Sequence, residues 1–312
     1  MPTIAMLFPG QGSHSVGMGK DFYDSGDNPS CRKFFEDADK ILGRDLSRIV
    51  FDGPIEELTE TRNTQPALFV VEAAIADLLL KSGVTPVCAA GHSLGEYGAL
   101  YAAGALSFED GVRLVAARGE AMAEAGRANP GAMAAVLGMV RDRIIDVIGQ
   151  VKSGVVVAAN ENAPEQTVIS GEAAAVSEAC ELLKAAGAKR AMPLPVSGAF
   201  HSPLMLPAAD KLSEALKSVK FSAPRCPVIA NVTAKPETDP ALLKDLLIKQ
   251  LVSPVRWVES MNTLAALSPP ACAEVGPGAV LRGLAKKCVP EMNILACDSV
   301  NNLYFIVEQL KG

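Results

Sequence analysis

Apolar positions along this chain come in two alternating patterns. Residues 4–8 form a short unbroken apolar run closed by Pro9-Gly10, which predicts a strand buried on both faces. Residues 66–81 read as a helix, with Pro66 near its first position and Gly83 just past its end. Residues 87–90 give a second buried strand, and a helix runs on from Gly95. Ser107 with Asp110 makes an S-x-x-D start for the next helix. Strands alternating with helices imply an α/β fold with a mostly parallel sheet covered on both faces.

The pattern changes between residues 130 and 195. Strands at 133–138, 155–159, 167–170 and 189–194 are interleaved with helices at 142–151 and 173–186. The order βαββαβ is a split βαβ arrangement that can fold as its own small layer. It predicts an inserted domain at 128–196 within a discontinuous core of residues 1–127 and 197–312. Beyond the insert come a helix at 204–219, a strand at 228–230, and helices near 241–251 and 256–267. A strand at 271–275 and a Gly-Pro-Gly turn precede a closing helix, strand and helix.

Composition narrows the class. With 49% hydrophobic and 21% charged residues in 312, the chain can bury a large core. One Trp, 5% aromatics and a net charge of −6 argue against nucleic acid held over a broad face. The seven Cys stand singly, with no CxxC pair and no Cys/His cluster at metal spacing, so no metal is expected. Thiols in apolar runs suit a reducing compartment. No basic region precedes the first apolar stretch, and charges break the alanine-rich helical stretches before membrane-spanning length. The expectation is a soluble, cytoplasmic chain.

Gly91-His92-Ser93-Leu94-Gly95 fits G-x-S-x-G, a pattern common in a chain with 26 Gly, and here its context counts. It follows a buried strand and opens an alanine-rich helix, the strand–turn–helix setting of a nucleophile elbow. Ser93 would then sit at a helix N-terminus, where free N–H groups favour developing negative charge. A serine hydroxyl needs a base, and there are three His. His92 adjoins Ser93 and should point away from the reacting face. His14, in the loop after the first strand, and His201, in the junction loop 196–203, remain candidates.

Glycines on both sides of Gln11 let its backbone N–H approach a ligand. With the N–H of Leu94 it would supply the two donors of an oxyanion hole. The loop matches neither a P-loop nor G-x-G-x-x-G. Arg118 lies in an apolar helical stripe of Leu114, Val115, Ala121 and Met122. A guanidinium there needs an anion, either a distant Asp or Glu or the carboxylate of a substrate.

Together these segments resemble the malonyl-CoA:acyl carrier protein transacylases of fatty acid synthesis and the acyltransferase domains of polyketide synthases. The matching pieces are Phe8-Pro9-Gly10-Gln11-Gly12-Ser13, Asn63-Thr64-Gln65-Pro66-Ala67, Gly91-His92-Ser93-Leu94-Gly95-Glu96, Arg118-Gly119, Phe200-His201-Ser202 and Glu274-Val275-Gly276-Pro277-Gly278. The resemblance implies a hydrolase-like core with a ferredoxin-like insert. It makes Ser93 the acylated nucleophile, His201 its base and Gln250 the source of a main-chain carbonyl that orients the histidine. It implies Gln11 and Leu94 as the oxyanion hole and Arg118 as the grip on the malonyl carboxylate, with Phe200 and Met122 at the substrate. Malonyl-CoA and acyl carrier protein are the implied partners, and the expectation is a monomer without a cofactor of its own that engages neither nucleic acid nor membrane. Lys189-Arg190 and Lys286-Lys287 are candidate docking pairs for an acidic carrier. One departure stands out: family members often carry Gln where this chain has His14. The rivals are a thioesterase or esterase, with Asp142 or Asp146 as its acid, and a non-catalytic acyl-binding protein.

Overall fold

Side chains of β1 (Thr3–Phe8) alternate between two apolar faces: Ile4, Met6 and Phe8 join one core cluster, and Ala5 and Leu7 another. The computed structural model describes residues 2–26, 29–196 and 198–311, so Ser197 of the predicted junction loop lies outside the described residues.

The pattern along residues 20–60 predicts no element, yet four helices fill it: α1 (Lys20–Asp24), α2 (Pro29–Leu42), α3 (Leu46–Asp52) and α4 (Ile55–Thr59). Each buries a narrow stripe, such as Cys31, Phe35 and Ala38 on α2. Segments this short and this charged take their stability from packing rather than from propensity.

Next, α5 (Thr61–Lys81) begins five residues before the predicted start at 66, with Pro66 inside it. Pro66 has no N–H for the carbonyl of Arg62, and that oxygen accepts instead from Arg44 Nη2 at 2.9 Å. By length and composition α5 would suffice to cross a membrane, contrary to the expectation above. Its most apolar window is 89% buried inside the protein, as befits a core helix.

Strand β2 (Thr85–Gly91) follows, then α6 (Gly95–Ala102) and α7 (Phe108–Ala128), whose N-cap Ser107 accepts from the N–H of Asp110. The segment that follows is β3 (Gly131–Leu137), α8 (Arg141–Ile148), β4 (Val156–Ala163), β5 (Gln166–Glu172), α9 (Ala173–Ala185) and β6 (Arg190–Pro193). Strand β4 runs four residues past the predicted end at 159, because two register shifts keep Asn160, Glu161 and Ala163 paired with β5 while Asn162 is passed over. A short 3₁₀ turn leads into α10 (Leu206–Lys217), and β7 (Val228–Ile229) pairs with an unpredicted edge strand, β8 (Pro236–Glu237). The chain ends with α11 (Pro240–Gln250), α12 (Trp257–Ala266), β9 (Cys272–Val275), α13 (Val280–Cys288), β10 (Ile294–Cys297) and α14 (Val300–Lys311).

The fold is α/β with two sheets. The larger has the order β10-β9-β1-β2-β7-β8 and is parallel except for β8. The smaller has the order β4-β5-β3-β6 and is antiparallel throughout. On β3 and β5, Ala134, Val136 and Ile169 pack against α8 and α9, while Met133 and Val168 point the other way, toward the main core. That second face closes over the C-terminal ends of β1 and β2. Val255 ties the sheets together, donating to Ala159 O and accepting from Glu161 N, each at 2.9 Å. All seven cysteines are unpaired.

Glu72 on α5 is fully buried, and neither of its carboxyl oxygens has a hydrogen-bond partner among the described residues. Burial holds its pKa well above the ordinary carboxylate range. The folded protein therefore keeps a proton that the unfolded chain releases, so stability falls as pH rises past the ordinary carboxylate pKa. Glu72→Met is expected to raise stability by about 1–3 kcal/mol, more at about pH 8 than at about pH 5. Urea unfolding at the two pH values checks this, and an equal gain at both would contradict it.

Candidate active site

The turn from β2 into α6 is tight because nothing larger than glycine fits. A Cβ on Gly91 would lie 1.9 Å from the backbone of Gly95, and one on Gly95 would lie 2.1 Å from Phe8 O. Between them Ser93 takes φ 52°, a left-handed conformation that costs a non-glycine residue about 1–3 kcal/mol. The turn is held from outside: Ser93 N donates to Asn231 Oδ1 at 2.7 Å, and Asn231 Nδ2 donates to Gly91 O at 2.6 Å.

Ser93 Oγ lies 2.8 Å from His201 Nε2, although 108 residues separate them. His201 Nδ1 lies 2.9 Å from the carbonyl oxygen of Gln250. A carbonyl only accepts, so Nδ1 carries the ring proton and Nε2 is free to take the serine's. Burial first, and then the Arg118 charge, push the His201 pKa down to about 3, so the ring is a neutral base at physiological pH. His201 also has a positive φ, 58°, which the buried Ser202–Ala199 hydrogen bond of 2.6 Å helps to hold. Asp142 and Asp146, the acids a hydrolase reading would enlist, are both exposed on α8.

Arg118 is 1% exposed and sits in the predicted stripe. Its partners among the described residues are all neutral: Gln65 Oε1 at 2.8 Å, Gln250 Oε1 at 2.9 Å and Ser93 Oγ at 3.0 Å. No Asp or Glu pairs with it there, and Nε has no hydrogen-bond partner. The distant-carboxylate alternative is thus set aside among the described residues, and the guanidinium faces the Ser93 hydroxyl with its charge unpaired. The Tyr97 ring, 5.7 Å away, covers its back. The nearest acid is Glu96, held in a relay in which Gln250 Nε2 donates to Glu96 Oε2 at 2.6 Å. Burial lifts the Glu96 carboxyl to about 7, against hydrogen bonds from Gln250 and Asn231 that favour its charge.

Ser93, His201 and Arg118 line a cavity of about 180 Å³ between the two sheets, together with Gln11, Leu94, Met122 and Phe200. It is smaller than the roughly 300–1,000 Å³ that encloses a drug-sized ligand, and it suits a short acyl group. Neither the Gln11 nor the Leu94 N–H donates to another of the described residues, so both stay available to a ligand oxygen. His92 is turned from the Ser93 hydroxyl, as expected: its Nε2 bonds Asn162 Oδ1 at 2.8 Å and its ring packs on Trp257. It still forms part of the cavity wall. His14 is not in that wall. It bonds Gly12 and Thr59 behind the Gln11 loop. Lys189 and Lys287, one from each candidate docking pair, meet at a surface cleft where Lys287 Nζ donates to Gln166 Oε1 at 2.8 Å. A larger cavity of about 510 Å³ opens at the other end of the strands beside residues 268–272 and 289–293, with Glu291 as its one charged side chain.

Sequence reasoning assigned no role to Gln65, Glu96, Asn231 or the side chain of Gln250. Gln65 and Glu96 sit inside segments already quoted for the resemblance, which was a usable signal. Asn231 had none, because its meaning lies in a contact across 138 residues.

The acyl transferase domain family matches residues 5–303. The malonyl CoA-acyl carrier protein transacylase of Bacillus subtilis is 48% identical, over 100% of this chain and 98% of its own length. The solved malonyl CoA-acyl carrier protein transacylase of Coxiella burnetii superposes with a TM-score of 0.95 at 38% identity, covering 100% of this chain and 99% of that one. A malonyl-transacylase solved in complex with its type II PKS acyl-carrier protein superposes with a TM-score of 0.94 at 40% identity, covering 99% of this chain and 100% of that one.

Proposed function

The chain belongs to the acyl transferase domain family, and from that premise we propose that it moves a malonyl group from malonyl-CoA to the phosphopantetheine thiol of acyl carrier protein. One observation carries the reading: a buried guanidinium with no carboxylate partner among the described residues, 3.0 Å from a serine hydroxyl that is itself 2.8 Å from a histidine. Such a charge calls for an anionic acyl group, and its position sets where the thioester carbon lies.

The reaction is ping-pong. Ser93 Oγ attacks the malonyl thioester carbon while its proton passes to His201 Nε2. The oxyanion of the tetrahedral intermediate accepts from the N–H groups of Gln11 and Leu94. The C–S bond then breaks, and coenzyme A leaves as a thiol with the proton from His201. In the second half the carrier's thiol gives its proton to His201 and attacks the malonyl-serine ester, returning Ser93 to its hydroxyl form. Gln250 steadies the imidazolium through its carbonyl, and Arg118 exchanges the serine and amide contacts for the malonyl carboxylate. Phe200 and Met122 wall the acyl group, favouring malonyl over bulkier extenders.

On this reading the larger unit, residues 1–127 and 197–312, is a hydrolase-like core, and 128–196 is a ferredoxin-like insert. The strand order β4-β5-β3-β6 supports the second assignment. Lys189, Arg190, Lys286 and Lys287 form the docking face for the acidic carrier. The enzyme works as a cytoplasmic monomer, needs no metal or cofactor of its own, engages neither nucleic acid nor membrane, and supplies fatty acid or polyketide synthesis.

Mass spectrometry after mixing with malonyl-, acetyl- or methylmalonyl-CoA tests the proposal. The expected result is malonyl on the Ser93 peptide, chased onto holo carrier protein when that is added. Free malonate released at the same rate with and without carrier would identify a thioesterase instead.

A further inference from the structure

His14 is the histidine that the reaction above leaves without a task, and its two hydrogen bonds fix its protonation state. Gly12 N donates to His14 Nδ1 at 3.3 Å, so Nδ1 is bare. On the other side Thr59 Oγ1 spends its own proton on Ile55 O at 2.7 Å and must accept from His14 Nε2, 3.2 Å away. The ring is therefore neutral, protonated at Nε2, and bridges the β1–α1 loop to α4.

Gly12 follows Gln11, which lines the cavity and whose N–H has no partner among the described residues. The Gly12 φ of 108° is one that glycine adopts without strain, and the Gly12 N–H bond to His14 holds the Gln11–Gly12 peptide, the unit next to the one that carries the Gln11 N–H. Other ties on the loop are those of Ser13, whose N and Oγ donate to Gly10 O at 3.2 and 2.7 Å, a long one of 3.4 Å from the Gln11 side chain to Thr61 Oγ1, and, farther along, Gly17 N to Val50 O at 2.8 Å.

We propose that His14 is a positioning residue for the oxyanion hole: by holding the Gln11–Gly12 peptide through the Gly12 N–H it fixes the backbone on the far side of Gln11, which together with the Ser13 ties on Gly10 O sets the aim of the Gln11 N–H, and it lets go when Nδ1 takes a proton. This rests on the acyl-transfer reading, since an oxyanion has to form for the aim to matter.

The charges on the elements packed around His14 are engaged elsewhere. Arg48 of α3 pairs with Glu57 of α4, Asp52 with Lys20, Glu60 with Arg62, and Arg282 with Glu274 behind Ser13 and Gly278. Glu56 is exposed. No carboxylate holds the ring in its charged form, and burial lowers its pKa from 6.5, so the bridge is intact at neutral pH and opens on acidification.

The test compares kcat and KM for malonyl transfer across pH in wild type, His14→Ala and His14→Gln. A glutamine amide can accept from Gly12 and donate to Thr59 without titrating. His14→Ala is expected to lower kcat roughly tenfold, a fraction of what losing an oxyanion donor outright costs, with KM for malonyl-CoA unchanged. His14→Gln should restore kcat at neutral pH and flatten the acid-side fall expected of wild type. Unchanged kcat in His14→Ala, or the same acid limb in His14→Gln, would overturn the proposal. Nitrogen NMR of the His14 ring gives a reading that does not depend on turnover: Nδ1 should appear as a bare acceptor at neutral pH, and an Nδ1–H would defeat the proposal even with transfer intact. Wild-type protein with the expected ring state but no malonyl-serine would instead strike at the acyl-transfer reading.

Discussion

Ser93→Ala is expected to fold, bind malonyl-CoA and form no acyl-enzyme, with transfer to the carrier reduced roughly 10⁴-fold or more. The methyl group occupies the same left-handed position without an oxygen for His201 to activate, while the Asn231 and Gln250 contacts, which are to the Ser93 backbone, survive. Malonyl label kept in full by the alanine variant would show that another residue is the nucleophile. The strain at this turn gives a companion readout: glycine adopts φ 52° freely, so a Ser93→Gly protein should melt above wild type while remaining inactive.

The second large effect concerns Arg118. Removing one partner of a buried charged pair costs about 2–5 kcal/mol, so Arg118→Ala should lose roughly 30- to 5,000-fold in kcat/KM for malonyl-CoA. Acetyl-CoA, which offers no carboxylate, should lose far less or gain. The comparison between the two thioesters is what matters, since general damage to the site would lower both. Arg118→Lys should rescue little. A single ammonium cannot reproduce the fork that reaches Gln65 and Gln250 together. If malonyl and acetyl transfer fell in parallel, the guanidinium would be structural and the substrate assignment would fail with it.

The histidines illustrate what a linear reading reaches. A base was required, and the chain offered three candidates. Adjacency to Ser93 turned His92 away, and the family resemblance pointed to His201 over His14, but only the fold set its Nε2 2.8 Å from the hydroxyl and its Nδ1 on the Gln250 carbonyl. The approach of His14 to the site was half legible, because its place in the loop after β1 was visible and its use as a brace was not. The α2–α4 segment escaped for a different reason: short helices with narrow apolar stripes look like charged loop until there is a core to cover.

What the sequence determined by itself was local or periodic. The unbroken burial of β1, the glycine-flanked elbow at Ser93, the apolar stripe that traps Arg118 and the βαββαβ order all follow from residues a few positions apart, because backbone geometry repeats at that range. The tertiary structure alone decided which groups meet. The Gln65–Arg118–Gln250–Glu96 relay and the grip of Asn231 on the turn join residues from five segments, and hydrogen bonds across such distances leave no periodicity in the chain. Arg118's need for an anion was a matter of sequence. That no carboxylate of the described residues answers it was settled by packing.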